Sequence, residues 1–97
     1  MPASSPAPTE LTGPITRAEV AFWRDALAEA VARDGGLTMD LGASGPWDMA
    51  GVQMLVSAMI SVERAGGVVR MTRAPKIFLN IIERAALSDR FASAIES

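Results

Sequence analysis

Two glycine pairs, Gly35-Gly36 and Gly66-Gly67, constrain this chain more than any other feature. Each stands between a stretch with helical periodicity and a short stretch rich in apolar residues that alternates side chains. Glycine supplies the left-handed backbone that stops a helix, and the alternation that follows is the mark of a strand with one buried face. Helix, glycine stop, strand, repeated twice within 97 residues, is the pattern of an α/β sheet built from right-handed crossovers. A chain of this length closes over a single small core. With 49% apolar residues and only 5% aromatic ones, that core is aliphatic.

The segments can be placed in order. Thr16-Arg17-Ala18-Glu19 fits a capping box, with Ile15 and Val20 at staple positions. Val20, Trp23, Leu27 and Val31 then recur at helical spacing, so a first helix is expected over Arg17 to Asp34. Upstream, Thr9-Glu10-Leu11-Thr12 reads as a short edge strand ended by Gly13-Pro14. Leu37-Thr38-Met39-Asp40-Leu41 alternates as a strand and is broken by Gly42-Ala43-Ser44-Gly45-Pro46. Asp48 is a good helix N-cap. The helix behind it buries Val52, Leu55, Val56, Met59 and Val62 and carries Gln53, Ser57, Ser61 and Arg64 as a polar stripe.

Val68-Val69-Arg70-Met71-Thr72 is the next strand. Pro75 opens a third helix with Ile77, Phe78, Ile81, Ile82 and Ala85 on or beside its core side, and Leu79 widens its apolar surface. Ser88-Asp89-Arg90 caps a last short helix carrying Phe91 and Ile95. The expectation is an α/β domain over residues 10–97 with a small sheet of about four strands. The sheet is mostly parallel, with a short N-terminal edge strand, three main helices and a short C-terminal one. Residues 1–9, with three prolines among the first eight, read as a flexible tail.

Composition excludes several functions. A net charge of -2 and a pI near 5.0 oppose a nucleic-acid partner, which needs a surplus of Lys and Arg. With no Cys and no His, disulfides, thiolate catalysis, the usual transition-metal ligands and the commonest general base are absent. Only carboxylate sites for hard cations remain, and no cofactor or metal is expected. The densest apolar stretch, Val52 to Val62, is interrupted by Gln53, Ser57 and Ser61 and falls short of the ~20 residues of a membrane span. A cytoplasmic protein that does not insert into membranes is expected.

Three stretches together resemble the STAS domain family over Leu11 to Phe91. Leu37-Thr38-Met39-Asp40-Leu41 is similar to its apolar strand ending in Asp-Leu. Asp48-Met49-Ala50-Gly51-Val52-Gln53-Met54-Leu55 resembles its Asp-x-x-Gly-Leu-Gln-x-Leu turn and helix. Arg64-Ala65-Gly66-Gly67-Val68-Val69-Arg70-Met71 resembles its glycine-rich step into the next strand. The resemblance implies a STAS-like sheet and a non-catalytic protein-interaction module of a bacterial regulatory pathway. It also implies docking through the turn before the second helix and that helix's exposed side. The residues so implied are Trp47, Asp48, Met49, Ala50 and Gln53, with Ser57 on the same side.

In switchable members the residues between the aspartate and the glycine include a Ser or Thr that a partner kinase phosphorylates. Here they are Met49 and Ala50, which cannot accept phosphate, so those acceptor positions are degenerate. Ser44 is the one hydroxyl just before the turn. The partner implied is an anti-sigma or histidine-kinase-like protein or a chemotaxis protein. The short opening Glu10-Leu11-Thr12 resembles compact members associated with chemotaxis gene clusters and with lipid-trafficking transporters more than sigma-factor antagonists, and the alternative is an accessory subunit that binds the ATPase of an ABC-type lipid transporter.

Read for themselves, the same residues have plainer roles. Asp48 suffices as a cap, and Gly51 lets the helix pack closely on the sheet. Trp47 suits core-edge packing and partner contact alike, while Met49 suits an adaptable surface. Asp40, at a strand end, calls for loop amides to satisfy its carboxylate. A receiver-like phospho-acceptor role for Asp40 lacks the acidic pair and the later lysine that such chemistry uses. A serine hydrolase would lack a histidine and a Gly-x-Ser-x-Gly elbow, and there is no Gly-x-x-x-x-Gly-Lys phosphate loop.

Overall fold

The computed structural model describes residues 8–96. Strand β1 spans Thr9–Ile15, helix α1 Val20–Asp34, β2 Leu37–Trp47 and α2 Met49–Arg64. Then follow β3 Val69–Thr72, α3 Lys76–Arg84, α4 Ser88–Ala92 and β4 Ile95–Glu96. The four strands form one sheet in the order β1-β2-β3-β4, and every pairing is parallel. Strands laid down in sequence order with right-handed crossovers place their helices on a single face.

The burial pattern agrees. Leu11, Ile15, Leu37, Met39, Leu41, Val69 and Met71 are buried, while Glu10, Thr12, Thr38, Asp40, Arg70 and Thr72 alternate with them at exposed or half-buried positions. Parallel sheets usually carry apolar runs because helices cover both faces. Here one face is polar, so the strands alternate as a one-sided sheet requires.

The expected α/β class, the four strands, the three main helices and the short C-terminal helix are all present. Several boundaries differ. β1 is seven residues long and runs through Gly13-Pro14 to Ile15. β2 does not break at Gly42 but continues through Gly45-Pro46 to Trp47. Beyond Asp40, β2 pairs only with β1, through Thr12↔Ala43, Gly13↔Ser44 and Ile15↔Trp47. This part of the ladder has register irregularities between Glu10 and Thr12 and again between Gly13 and Ile15. A proline costs a strand nothing where its nitrogen has no neighbour to donate to.

Ile95, expected in the last helix, lies instead in β4 against Met71. The first helix starts at Val20, after a turn over Arg17 to Glu19. Its capping box forms in altered shape: the Glu19 carboxylate accepts from the Thr16 N–H at 2.9 Å and from the Thr16 hydroxyl. The hydroxyl therefore donates to Glu19 instead of accepting from its amide. In α3 only Phe78 and Ile82 are fully buried and Ile81 is half-buried, while Ile77, Leu79 and Ala85 are exposed.

The first glycine stop acts as its sequence implies. Gly35 closes α1 with φ 74°, donating its N–H to the Val31 carbonyl at 2.8 Å. After α3 the same left-handed position falls on Ala86, with φ 59°. No glycine marks that site in the sequence.

Candidate interaction surface at the start of α2

The β2–α2 turn is built from inside outward. Trp47 ends β2 and is buried. Its ring meets Phe78 edge-on at 4.9 Å between centroids, and Phe78 meets Phe91 in the same way at 5.3 Å. The Trp47 Nε1–H donates to the Ser44 hydroxyl at 2.8 Å, which in turn donates to the Leu41 carbonyl at 2.7 Å. The three aromatic rings therefore join β2, α3 and α4 beneath the turn.

Asp48 follows in extended conformation and caps α2, its Oδ1 accepting from the Gly51 N–H at 3.0 Å. Its Oδ2 accepts from the Arg17 N–H, also at 3.0 Å. One carboxylate thus ties the start of α2 to the turn that precedes α1. Hydrogen bonding to Gly51 holds the Asp48 carboxyl below its ordinary value, with the Arg17 amide and charge adding to it against a desolvation penalty. Gly51 is buried, and a side chain there would meet the Ile15 carbonyl oxygen and, at 3.1 Å, the Trp47 ring. The glycine is required by the approach of α2 to the end of β1.

The residues expected to contact a partner fall into two sets. Gln53 and Ser57 are exposed, and Met49 and Ala50 are half-buried, so these four form a surface. Met49 also packs against the core from its edge. Trp47 belongs to the core, which corrects the reading of it as a partner contact: its ring lies under the turn and its nitrogen is already bonded. Asp48 is half-buried and both its carboxylate oxygens are engaged, so its role is to position the turn.

Met49 and Ala50 occupy the two positions between cap and glycine, and neither carries a hydroxyl. The Ser44 hydroxyl is held by two hydrogen bonds inside the β2 end. Asp40 stands elsewhere on the sheet. It receives the Gly42 amide at 2.9 Å, as expected of loop amides, and in addition the Arg73 guanidinium through two bonds at 3.0 and 2.8 Å. Arg73 foremost, and then the Gly42 amide, lower the Asp40 carboxyl.

Sequence reasoning did not find the Arg17 amide on Asp48, the Ile15 carbonyl against Gly51 or the Arg73 clamp on Asp40. All three join residues about thirty or more positions apart in sequence. It also missed a groove of about 640 Å³ between α1 and α2. Ala50, Gln53 and Ser57 form part of its α2 wall, so the surface at the start of α2 continues into it. A helical plot of α1 offers a signal: Val20, Arg24, Val31 and Ala28 fall on one side of its core stripe.

The family model described as Mlab, STAS domain, matches residues 4–95. The chain belongs to the STAS domain family. No curated protein sequence matches it. STAS domains are in general non-catalytic modules that mediate protein–protein interactions. The all-parallel four-stranded sheet and the Asp48 to Gly51 turn are therefore this chain's version of a STAS scaffold. Among the described residues no helix is long and apolar enough to cross a membrane.

Proposed function

We propose that this STAS domain is a constitutive docking module of a bacterial regulatory pathway, acting like an anti-sigma factor antagonist or a chemotaxis-associated STAS protein. Its partner would meet the first turns of α2 through Met49, Ala50, Gln53 and Ser57. The observation that carries this reading is the retention of the turn without its switch. Asp48 caps Gly51 and Gly51 abuts Ile15, while the half-exposed Met49 and Ala50 stand where switchable members present a hydroxyl. A phosphate would add nearly two negative charges at a helix start. Without an acceptor the surface stays uncharged, and control rests with the partner or its abundance.

The partner is an anti-sigma, histidine-kinase-like or chemotaxis protein. A second reading has the domain as an accessory subunit on the ATPase of an ABC-type lipid transporter. The opening Glu10-Leu11-Thr12 resembles the compact members found with chemotaxis proteins and with lipid transporters more than the sigma-factor antagonists, which supports the chemotaxis form of the first reading and the second reading alike. Purification of the tagged full chain from its native host, with identification of the retained protein, separates a soluble kinase-like partner from a membrane-associated ATPase. The complex is then re-measured with Met49→Asp. A charge in an apolar contact is expected to weaken it by about tenfold or more, with the circular dichroism of the free domain unchanged. Undiminished affinity in a folded variant removes the Met49 contact from the proposal.

A further inference from the structure

The chain offers an oxidant very few targets. It has no Cys, His or Tyr, so thiol, imidazole and phenol are missing and the readily oxidised side chains are those of methionine and tryptophan. Both tryptophans are buried, Trp47 at 4% exposure and Trp23 at 9%. Of the six methionines, Met1 lies outside the described residues. Met39, Met59 and Met71 are 0% exposed and Met54 6%. Met49 alone is half-buried. Among the described residues it is therefore the one readily oxidised side chain with appreciable access to solvent.

A thioether is oxidised when its sulfur lone pair meets the oxidant, so access decides which methionine reacts. Met39 and Met71 pair on adjacent strands, and Met54 and Met59 are buried residues of α2. In a close-packed core these four react when the fold opens locally or globally. Met54 borders the α1–α2 groove and is the nearest competitor. Met49 needs no such opening. It is the first residue of α2, directly after the Asp48 cap, and packs on the core from its edge. From that rim a sulfoxide oxygen can face water, and its partial negative charge suits the positive end of the helix dipole. The free fold loses little. An apolar partner surface laid over Met49 instead meets a polar oxygen with no donor for it.

We propose that Met49 is a site of selective, reversible oxidation by peroxide, and that its sulfoxide blocks docking at the start of α2. The sulfur lone pair attacks one oxygen of hydrogen peroxide and the O–O bond breaks. That oxygen stays on sulfur, and the other leaves as water after a proton shift. Sulfur loses two electrons and the peroxide gains them. Methionine sulfoxide reductases, one for each sulfoxide epimer and fed by a dithiol, return the thioether. The reaction belongs to the free domain, since a bound partner covers Met49. The effect on docking rests on the role proposed above for Met49, and the modification itself does not. A turn that offers no hydroxyl to a kinase thus keeps one chemical input of its own, beside the partner's abundance.

The full chain is treated with dilute hydrogen peroxide, quenched at intervals, and its methionine peptides are read by mass spectrometry. Met49 is expected to gain one oxygen at least about tenfold faster than Met39, Met54, Met59 or Met71, and to lose that lead in urea. Circular dichroism of the chain oxidised at Met49 is expected to match the parent. Equal rates in the folded chain, or Met54 reacting first, overturn the proposal.

The chain oxidised before mixing is expected to bind the co-purified partner about tenfold more weakly, the scale of one unpaired polar group in an apolar contact. Both reductases with a dithiol are expected to restore the affinity. Met49→Leu removes the sulfur, and peroxide treatment is expected to leave that variant's own affinity unchanged. A peroxide-sensitive Met49→Leu complex overturns the proposal. If Met49→Asp weakens the complex and the sulfoxide does not, the oxidation switch falls and the docking reading stands. If both leave the complex intact, the docking reading falls and takes the switch with it.

Discussion

Substituting Gly51→Ala places a methyl group against the Ile15 carbonyl oxygen at the end of β1 and 3.1 Å from the Trp47 ring. Neither neighbour can swing aside. The carbonyl is backbone at the end of a paired strand, and the Trp47 ring is held by Phe78 and by its bond to Ser44. Relief has to come from displacing the start of α2, which stretches the 3.0 Å bond from the Gly51 N–H to Asp48. Overpacking of this kind costs about 1–3 kcal/mol, and loss of the cap adds about 1 kcal/mol. Alanine returns about 1 kcal/mol of helix propensity. The net expectation is a loss of about 1–3 kcal/mol, and at about 4–8 °C per kcal/mol for a domain of this size the melting temperature falls by roughly 5–20 °C. Urea unfolding followed by circular dichroism measures it, with Ser57→Ala, an exposed site on the same helix, as a control expected to change little. A Gly51→Ala domain as stable as the parent, or more so, refutes the view that close approach to β1 is what this glycine is for.

Asp48→Asn keeps the size of the cap but removes its charge, and is expected to cost about 1 kcal/mol or less, while Asp48→Ala costs about 1–2 kcal/mol by freeing both the Gly51 and Arg17 amides. The carboxyls of Glu19, Asp40 and Asp48 all titrate lower in the folded chain than their ordinary values of 4.5, 3.8 and 3.8. Their contribution is therefore present above those values and is lost as the pH falls through the lowered ones. Stability is expected to hold at neutral pH and decline below about pH 4.5, with a shallower decline in Asp48→Asn. Incubation with ATP and a serine kinase that modifies other STAS domains is expected to leave residues 47–53 unmodified by mass spectrometry, and a phosphate found there sinks the unswitched reading. Phe78→Ala removes the ring that joins Trp47 to Phe91, with an expected loss of about 3–5 kcal/mol and a change in Trp47 fluorescence.

Much of this fold was legible because its signals are local. A strand that must bury one face alternates, a helix that must bury one stripe repeats every three to four residues, and glycine marks a left-handed stop. Leu37 to Leu41, Val52 to Val62 and Gly35 obey these rules, and from them the α/β class, the three main helices and the Asp48 cap follow. The order and spacing of three motifs carried the STAS resemblance in the same way. Where signals were overridden, the cause was non-local. Gly13-Pro14 and Gly45-Pro46 read as breaks, yet both lie within strands, because beyond Asp40 the β1–β2 pair has no third strand to satisfy. Ile95 fits a helical spacing from Phe91, yet pairs with Met71 as a fourth strand.

The candidate site divides along the same line. The sequence by itself determined that Met49 and Ala50 offer no hydroxyl, that Asp48 can cap and that Gln53 and Ser57 share a polar stripe, since side-chain chemistry and helical period need no partner. Only the tertiary structure decided that Trp47 lies inside, because its burial depends on Phe78 and Phe91, thirty-one and forty-four positions later. Only the tertiary structure likewise placed the Arg17 amide on Asp48, set Gly51 against Ile15 and opened a groove beside Arg24. Each of these rests on how α1 and α2 lie on the sheet, and a chain's periodicity fixes which face a helix buries without fixing what that face will meet.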